Sequence, residues 1–424
     1  MPERLLYTSF VDVSLPYGPG INERAFLADL LPRYGNNLHA VIPMPSRGMP
    51  VELRSLTTTF ISRTSVRKLA GWLQARTTGA AVLLRSIRRF HPDLVVIRAG
   101  AFSFSHALIA RAGIPFVLKT AGDLTHEAFY QRRIAGRLLK KVDQGMLDTL
   151  LEKTLAVDVV SHAHKEAIVG RYPHLEQRVH VIDNGVDLNM FGRASAADCR
   201  RAQGFADGDI VLGYVGNYPM RRGGKEVIAA VAALRSRMPV KGLVVGDGGE
   251  ADECRRFAEV LGVGDAVVVA GEVEYAKVPE FMAAMDVALS ILRPNERHES
   301  EQKVRQYLAC GLSVVGTAGS NDFLRGYSFA RVVQTENTEE IVAAVISLLD
   351  RGQAGLAELR SRARRFAEST LSVSSRNDHR LREWTRALAS STAPDATVAL
   401  TGRTAEVDRL LDSLQIEIEP PPER

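Results

Sequence analysis

Arg221, Arg222 and Lys225 crowd three cations onto one glycine-rich stretch, Gly216-Asn217-Tyr218-Pro219-Met220-Arg221-Arg222-Gly223-Gly224-Lys225, just after the apolar run Ile210–Val215. Glycines let backbone N–H groups approach an anion, and neighbouring cations on such a turn repel one another unless a negative ligand sits among them. Two further glycine turns follow apolar runs: Tyr17-Gly18-Pro19-Gly20, and Gly246-Asp247-Gly248-Gly249. Strand, glycine turn, helix is the phosphate-binding unit of α/β proteins, because the helix N-terminus adds a favourable dipole. None of the three is a dinucleotide fingerprint. After Gly18 and Gly20, the position that wants a third Gly or Ala holds Glu23. Taken singly, each turn also reads as an ordinary strand-to-helix connection, and the cations as a solvated cluster. The acid pair Asp207-Gly208-Asp209 lies in a loop before a strand, and Cys199, Cys254 and Cys310 are too few and scattered for a zinc site or a disulfide framework. No metal and no resident cofactor is expected.

Rigid elements must hold those turns. Short runs rich in Val, Ile and Leu alternate with longer helical stretches, the pattern of parallel strands buried on both faces. The strand candidates are Leu5–Phe10, Leu38–Pro43, Leu94–Arg98, Phe116–Thr120, Val157–Ser161 and Val179–Ile182, then Ile210–Val215, Gly242–Val245, Val267–Ala270, Val287–Ile291, Val314–Thr317 and Arg331–Val333. Two such series predict two Rossmann-like domains, joined within 185–209. Residues 338–390 read as helices, with Thr338 capping the acidic start at Glu339 and Glu340. The tail from Ser390 is polar and reads as loosely ordered.

The chain has 424 residues, 46% hydrophobic and 24% charged, which excludes a disordered chain and fits two or three domains. The N-terminal segment lacks a basic head followed by an apolar core, and no apolar run approaches the ~18 residues of a membrane span. A cytoplasmic protein is expected, at most peripheral on the inner face of the cell membrane. The net charge of +5 hides an asymmetry: residues 1–190 hold 24 Lys and Arg against 16 Asp and Glu. Much of that excess lies in two acid-free stretches. Leu53–Pro92 carries Arg54, Arg63, Arg67, Lys68, Arg76, Arg85, Arg88 and Arg89, interleaved with Leu69, Trp72, Val82, Leu83, Leu84 and Ile87. Ala128–Val142 carries Arg132, Arg133, Arg137, Lys140 and Lys141. Cations beside apolar residues are the pattern of interfacial helices on anionic lipid, each worth about 1 kcal/mol there; a solvated helix face is the alternative. Nucleic acid is not expected, since no recognition motif or stacking platform is present.

Several segments, in order, resemble the retaining glycosyltransferases of family 4, the glycosyl transferases group 1. VHVIDNGVDLNMF at Val179–Phe191 is similar to the family's interdomain signature, and LGYVGNYPMRRGGKEVIAA at Leu212–Ala230 to its diphosphate loop. The run from Val244 to Leu292 is similar to its nucleotide-binding half, and KVRQYLACGLSVVGT at Lys303–Thr317 to its K-x-x-E-Y-x-A-C-G-x-P-V-V segment. LKTAGDLTHE at Leu118–Glu127 fits more loosely near the expected catalytic strand. The resemblance implies the GT-B fold, two Rossmann-like domains facing across a cleft. Residues 1–190 would form the acceptor side, 191–365 the donor-binding side, 366–390 a helix crossing back to the first domain, and 391–424 a polar tail.

The resemblance also implies roles. Arg222 stands at the family's loop lysine and, with Arg221, Lys225 and Lys303, would hold the donor diphosphate, with Gly18 and Gly20 closing over it. Gly246, Asp247, Glu272, Val273 and Gln306 would contact the nucleoside. Asp123, His126 and Glu299 are the candidate catalytic groups, with Lys119 and Gly122 beside the first two and His298 beside the third. Asn217 replaces a usual arginine, Gln306 a usual glutamate, and Ala121 a frequent histidine. The implied activity is transfer of a sugar from a nucleotide-diphosphate donor to a hydroxyl of an envelope glycan, a lipid-linked intermediate or a secondary metabolite. The alternatives are a GT-B sugar-nucleotide epimerase and a non-catalytic GT-B binding subunit. Partners would be the donor, the acceptor and an anionic membrane surface.

Overall fold

A computed structural model describes residues 1–15, 18–61, 68–100, 104–120, 136–192, 194–217, 219–246, 249–293, 302–350, 352–391 and 405–410; within these, the side chains of 68–78, 136–139, 221 and 353 are left undescribed. The chain forms two compact units, Met1–Asn184 with Asn377–Arg424, and Gly185–Arg376. The division falls at the Asn184–Gly185 turn, so residues 185–190, expected on the acceptor side, belong to the second unit.

The first unit is built on a seven-stranded parallel sheet in the order β3-β2-β1-β4-β5-β6-β7. The strands are β1 (Leu5–Thr8), β2 (Leu38–Pro43), β3 (Thr57–Ile61), β4 (Leu94–Arg98), β5 (Phe116–Lys119), β6 (Val157–Val159) and β7 (Val179–Val181). β1 registers Leu5 opposite both Leu38 and Leu94, so its four residues are flanked on both edges and wholly buried. Strand order reverses between β1 and β4, and at such a switch point the flanking helices part and open a crevice beyond the strand ends. The helix Gly18–Tyr34 follows β1. Position 20, in its first turn, is glycine because a Cβ there would come within 2.9 Å of the Asp12 carbonyl oxygen and closer still to that of Leu15.

The second unit holds a six-stranded parallel sheet in the order β10-β9-β8-β11-β12-β13. Its strands are β8 (Ile210–Val215), β9 (Val240–Val245), β10 (Val267–Gly271), β11 (Val287–Ser290), β12 (Ser313–Thr317) and β13 (Ala330–Val333). Here the switch point lies between β8 and β11, directly after which the cationic glycine stretch begins. One continuous core of Val, Ile, Leu and Met fills both faces of this sheet.

Three sequence expectations are corrected. β3 lies inside the acid-free stretch read as interfacial helix; its Thr-Thr-Thr-Phe-Ile is β-branched but hardly apolar, as suits an edge strand half open to water. In the helix that follows it, Leu83, Leu84 and Ile87 are buried in the protein's own core while Arg85, Arg88 and Arg89 point outward. The apolar residues of 79–90 are therefore not available to a bilayer. The helix Thr338–Leu349 is capped by Asn337, whose side chain accepts from the Glu339 N–H at 2.7 Å, rather than by Thr338. The tail is ordered at 405–410, a helical turn that buries Val407 in the first unit and pairs Asp408 with Arg88 at 3.1 Å.

The helix Val373–Ser391 belongs to the first unit from Asn377 on. Leu381 and Trp384 are buried there with Phe26, Leu27 and Leu30. The Trp384 ring meets Phe26 edge-on at 6.3 Å, and its indole N–H donates to Asp158 at 3.1 Å. Replacing a wholly buried tryptophan by alanine removes that contact area and leaves a cavity. Trp384→Ala is expected to lose roughly 3–5 kcal/mol in urea unfolding followed by circular dichroism. The control Val260→Ser, at an exposed site, is expected to change stability by no more than about 0.5 kcal/mol. A loss below about 1 kcal/mol for Trp384→Ala would show that the first unit closes without this helix.

Candidate active site in the parallel-sheet switch regions

In the second unit the turns after β8 and β9 touch through their backbones. Gly246 holds φ +132°, and a Cβ there would overlap the Gly216 carbonyl oxygen. Gly216 N–H donates to Val245 O at 3.0 Å, and Gly246 N–H to Gly271 O at 2.8 Å, so three successive strand ends are tied into one backbone platform. Only glycine supplies both the positive φ and the close approach.

Lys303 is placed at this platform by an aromatic neighbour. The Tyr214 hydroxyl, rooted in β8, donates to Asn217 O at 2.8 Å; Lys303 Nζ donates to that hydroxyl at 3.4 Å and lies 4.5 Å from the ring centroid. Lys303 opens the helix Gln302–Ala309, which Tyr307 fixes to the end of β8: its hydroxyl accepts from Val215 N–H at 2.8 Å. Gln306, buried on the same helix, donates to the Tyr275 hydroxyl at 3.0 Å. A cation and an amide thus sit one helical turn apart beside the β8 turn.

The other candidates fall as follows. Arg222, half-buried, ends the short helix Pro219–Arg222, which also carries Arg221. The N–H of Met220 in that helix donates to Glu250 at 2.8 Å. Lys225 is exposed, with its Nζ 5.8 Å from the Phe257 ring centroid. It lines a cavity of about 230 Å³ together with Met220, Glu226, Arg293 and Glu336. Glu272 is exposed and Val273 half-buried directly after β10. Gly18 and Gly20 belong to the first unit, at the start of its first helix. Gly122, Asp123, His126, Asp247, His298 and Glu299 lie outside the described residues. Among the described residues no three His, Cys, Asp or Glu side chains gather as a metal site, and no helix is long and apolar enough to cross a membrane.

The first unit holds a polar cluster at its own switch point. Glu23, wholly buried, accepts three hydrogen bonds: from the Tyr7 hydroxyl at 2.7 Å, Arg98 Nε at 2.9 Å and Lys119 Nζ at 2.6 Å. Burial alone would raise the Glu23 carboxyl, but Lys119 and then Arg98 overcome it and hold it down at about 2. Burial, only partly offset by Glu23, brings Lys119 down to about 8, and burial followed by Glu23 raises Tyr7. One strand further, burial pushes Asp158 up to about 7 against the pull of Arg380, which lies 3.5 Å away, and of Lys119. Lys119 is therefore an internal ion-pair partner rather than an open site cation. Nothing in the spacing of Tyr7, Glu23 and Arg98 announced the cluster; the one available sign was the misfit of Glu23 in the glycine pattern.

Comparison with known proteins matches residues 26–190 to the family profile described as Glycosyltransferase Family 4, and residues 209–351 to that described as Glycosyl transferases group 1. The two profiles follow one another along most of the chain, and the chain belongs to this family, with the GT-B fold. Among curated proteins it is similar to the 2-deoxystreptamine N-acetyl-D-glucosaminyltransferase of Streptomyces fradiae, 25% identical over 260 residues. That match spans 58% of this chain and 59% of the relative. Among solved structures it is similar to HepE of Anabaena in complex with UDP and glucose, with a TM-score of 0.66, 19% identity, and 90% of this chain and 99% of that one covered. It is also similar to WaaG, a glycosyltransferase involved in lipopolysaccharide biosynthesis, with a TM-score of 0.62, 16% identity, and 88% and 98% covered.

The Glu23 cluster generates a pH signature. Its folded-state value lies below the ordinary 4.5, so its stabilisation is complete above 4.5 and is lost as the pH falls toward about 2. The amount is roughly 3 kcal/mol. In urea unfolding between pH 7 and pH 2, Glu23→Gln is expected to be less stable at neutral pH and to show a flatter curve between 4.5 and 2 than the wild type. Curves that run parallel through that window would contradict the assignment. Tyr7, Arg98 and Lys119 face the carboxylate, and Arg380 and Asp158 lie behind Lys119, so none of these is altered in the comparison.

Proposed function

We propose that this chain transfers a sugar from a nucleotide-diphosphate donor to an acceptor hydroxyl with retention at the anomeric carbon, and that it does so without a metal ion. The observation that carries this reading is the backbone platform of Gly216 and Gly246 with Lys303 held at its edge by Tyr214. Transfer breaks the bond between the anomeric carbon and the diphosphate oxygen, so negative charge grows on that oxygen. Fixed cations stabilise such charge best where they need not reorganise. Lys303 and Arg222 are the residues assigned to this task, with Arg221 and Lys225 as outer cations. Gln306 is assigned to the ribose hydroxyls, Glu272 and Val273 to the base, and Asp123, His126 and Glu299 to the reacting sugar.

The HepE structure was solved with UDP and glucose, which makes a uridine donor the first to try. The Streptomyces relative is named for transfer of N-acetyl-D-glucosamine to 2-deoxystreptamine, which favours a small-molecule acceptor over an envelope glycan or a lipid-linked one. The exposed Arg85, Arg88 and Arg89 enter this reading as an electrostatic attraction to an anionic acceptor or to the inner membrane face, without insertion.

Thermal unfolding in the presence of UDP, UDP-glucose, UDP-N-acetylglucosamine or GDP-mannose tests the donor site. At least one of them is expected to stabilise the chain, by mass action. No stabilisation by any of them would overturn the donor-site assignment, and binding without turnover would favour a non-catalytic relative. Lys303→Met and Arg222→Ala are each expected to raise the Kd of the stabilising nucleotide by about tenfold or more. An unchanged Kd for both would remove them from the diphosphate site. Turnover is expected to survive EDTA and to give a product with the anomeric configuration of the donor, read by proton NMR. An inverted product would overturn retention.

A further inference from the structure

We propose that Glu23 is a positioning residue for the transfer reaction, holding the helix that opens at Gly18 and Gly20 in fixed register with the ends of β4 and β5. The inference rests on the transferase reading above. Glu23 lies five residues after Gly18, within the first turns of the helix Gly18–Tyr34. Arg98 and Lys119 are the last residues of β4 and β5. One carboxylate oxygen accepts from both cations, at 2.9 and 2.6 Å, and the other accepts from Tyr7 on β1 at 2.7 Å. A single side chain therefore joins the glycine-turn helix to three neighbouring strands at the switch point.

Fold stability alone does not account for this choice. Taking two cations and a carboxylate out of water costs several kcal/mol per ion, and well-packed apolar residues of similar volume generally do as well or better. Charge-assisted hydrogen bonds supply something apolar packing does not, namely a directional lock between particular atoms. The lock sits immediately before Thr120, whose own hydroxyl is buried without a hydrogen-bond partner, and residues 121–126 carry the catalytic candidates. Lys119 is further fenced by the Phe26 ring, whose centroid lies 4.9 Å from its Nζ. A small residue at position 23, as dinucleotide sites use, would let helix and strand touch. A carboxylate instead sets their spacing through two charged bonds.

The test separates positioning from simple cohesion. Glu23→Asp keeps the charge but withdraws it by one methylene, and Glu23→Gln/Lys119→Met removes the pair together, so that no buried charge is stranded by losing its partner in that pair. The readouts are melting by circular dichroism, UDP affinity by calorimetry, and turnover of the UDP-sugar that the wild type uses. For both variants UDP affinity is expected to stay within about twofold and kcat to fall by about 100-fold with little change in KM, the cost of misplacing groups around a reacting centre by about 1 Å. A folded double variant with wild-type kcat would overturn the proposal and leave the cluster a purely cohesive ion pair. If the double variant does not fold, Glu23→Asp decides by the same criterion. If the wild type turns over none of the donors, the transferase reading fails separately. Hydrogen exchange then decides: amides of 18–24 are expected to lose protection in Glu23→Asp while the rest of the sheet keeps it, and unchanged protection would overturn the proposal.

Discussion

The backbone contact between Gly216 and Gly246 leaves no room for a methyl group, and the strand exits of the second unit are arranged around it. Parallel pairing sets β8, β9 and β10 side by side with their C-terminal ends together, and the hydrogen bonds Gly216–Val245 and Gly246–Gly271 stitch their exits to one another. The peptide groups of two turns are thereby pressed into a small area next to a switch point, the place in such a sheet where the flanking helices part. The rest is placed from this floor. Tyr214 rises from β8 to reach Asn217 and Lys303, and Tyr307 fastens the helix bearing Lys303 and Gln306 to Val215. Phenolic hydroxyls bridge backbone and cation without bringing a competing charge of their own.

The first unit solves the corresponding problem with charge. Its glycine-turn helix is coupled to β1, β4 and β5 by one carboxylate shared among Tyr7, Arg98 and Lys119. The second unit relies instead on phenolic hydroxyls that bridge backbone and side chain. The Glu23 cluster persists only while its carboxylate is ionised, which the two cations ensure to well below neutral pH.

How much of this was legible depended on whether the signal was local. Strands flanked on both sides, such as Leu94–Arg98 and Ile210–Val215, announce themselves as apolar runs because both faces are buried. β3 did not, since an edge strand of threonines has only one neighbour to satisfy. Lys303, Gln306 and Tyr307 lie in one segment singled out by its resemblance to a family motif, but the bonds Tyr214–Lys303, Tyr275–Gln306 and Tyr307–Val215 were not legible, because they join elements distant in sequence. The cations of Leu53–Pro92 showed the same limit in reverse: composition revealed a basic helix, and only side-chain direction revealed that its Leu83, Leu84 and Ile87 turn inward. Glu23 was visible as an oddity and unreadable as a role, since its partners lie 16, 75 and 96 residues away.

The placement of Trp384 has a consequence for the order in which the chain acquires structure during synthesis. The second unit is contiguous, Gly185 to Arg376, and can complete its core as soon as it has left the ribosome. The first unit emerges earlier yet lacks Leu381 and Trp384 until the second unit has also been made. Its seven-stranded sheet must therefore wait, with Phe26 and Leu30 uncovered, while nearly two hundred residues are translated and folded behind it. The half that is made first is the half that closes last, and during that interval it is the part of the nascent protein with the greatest need of a chaperone.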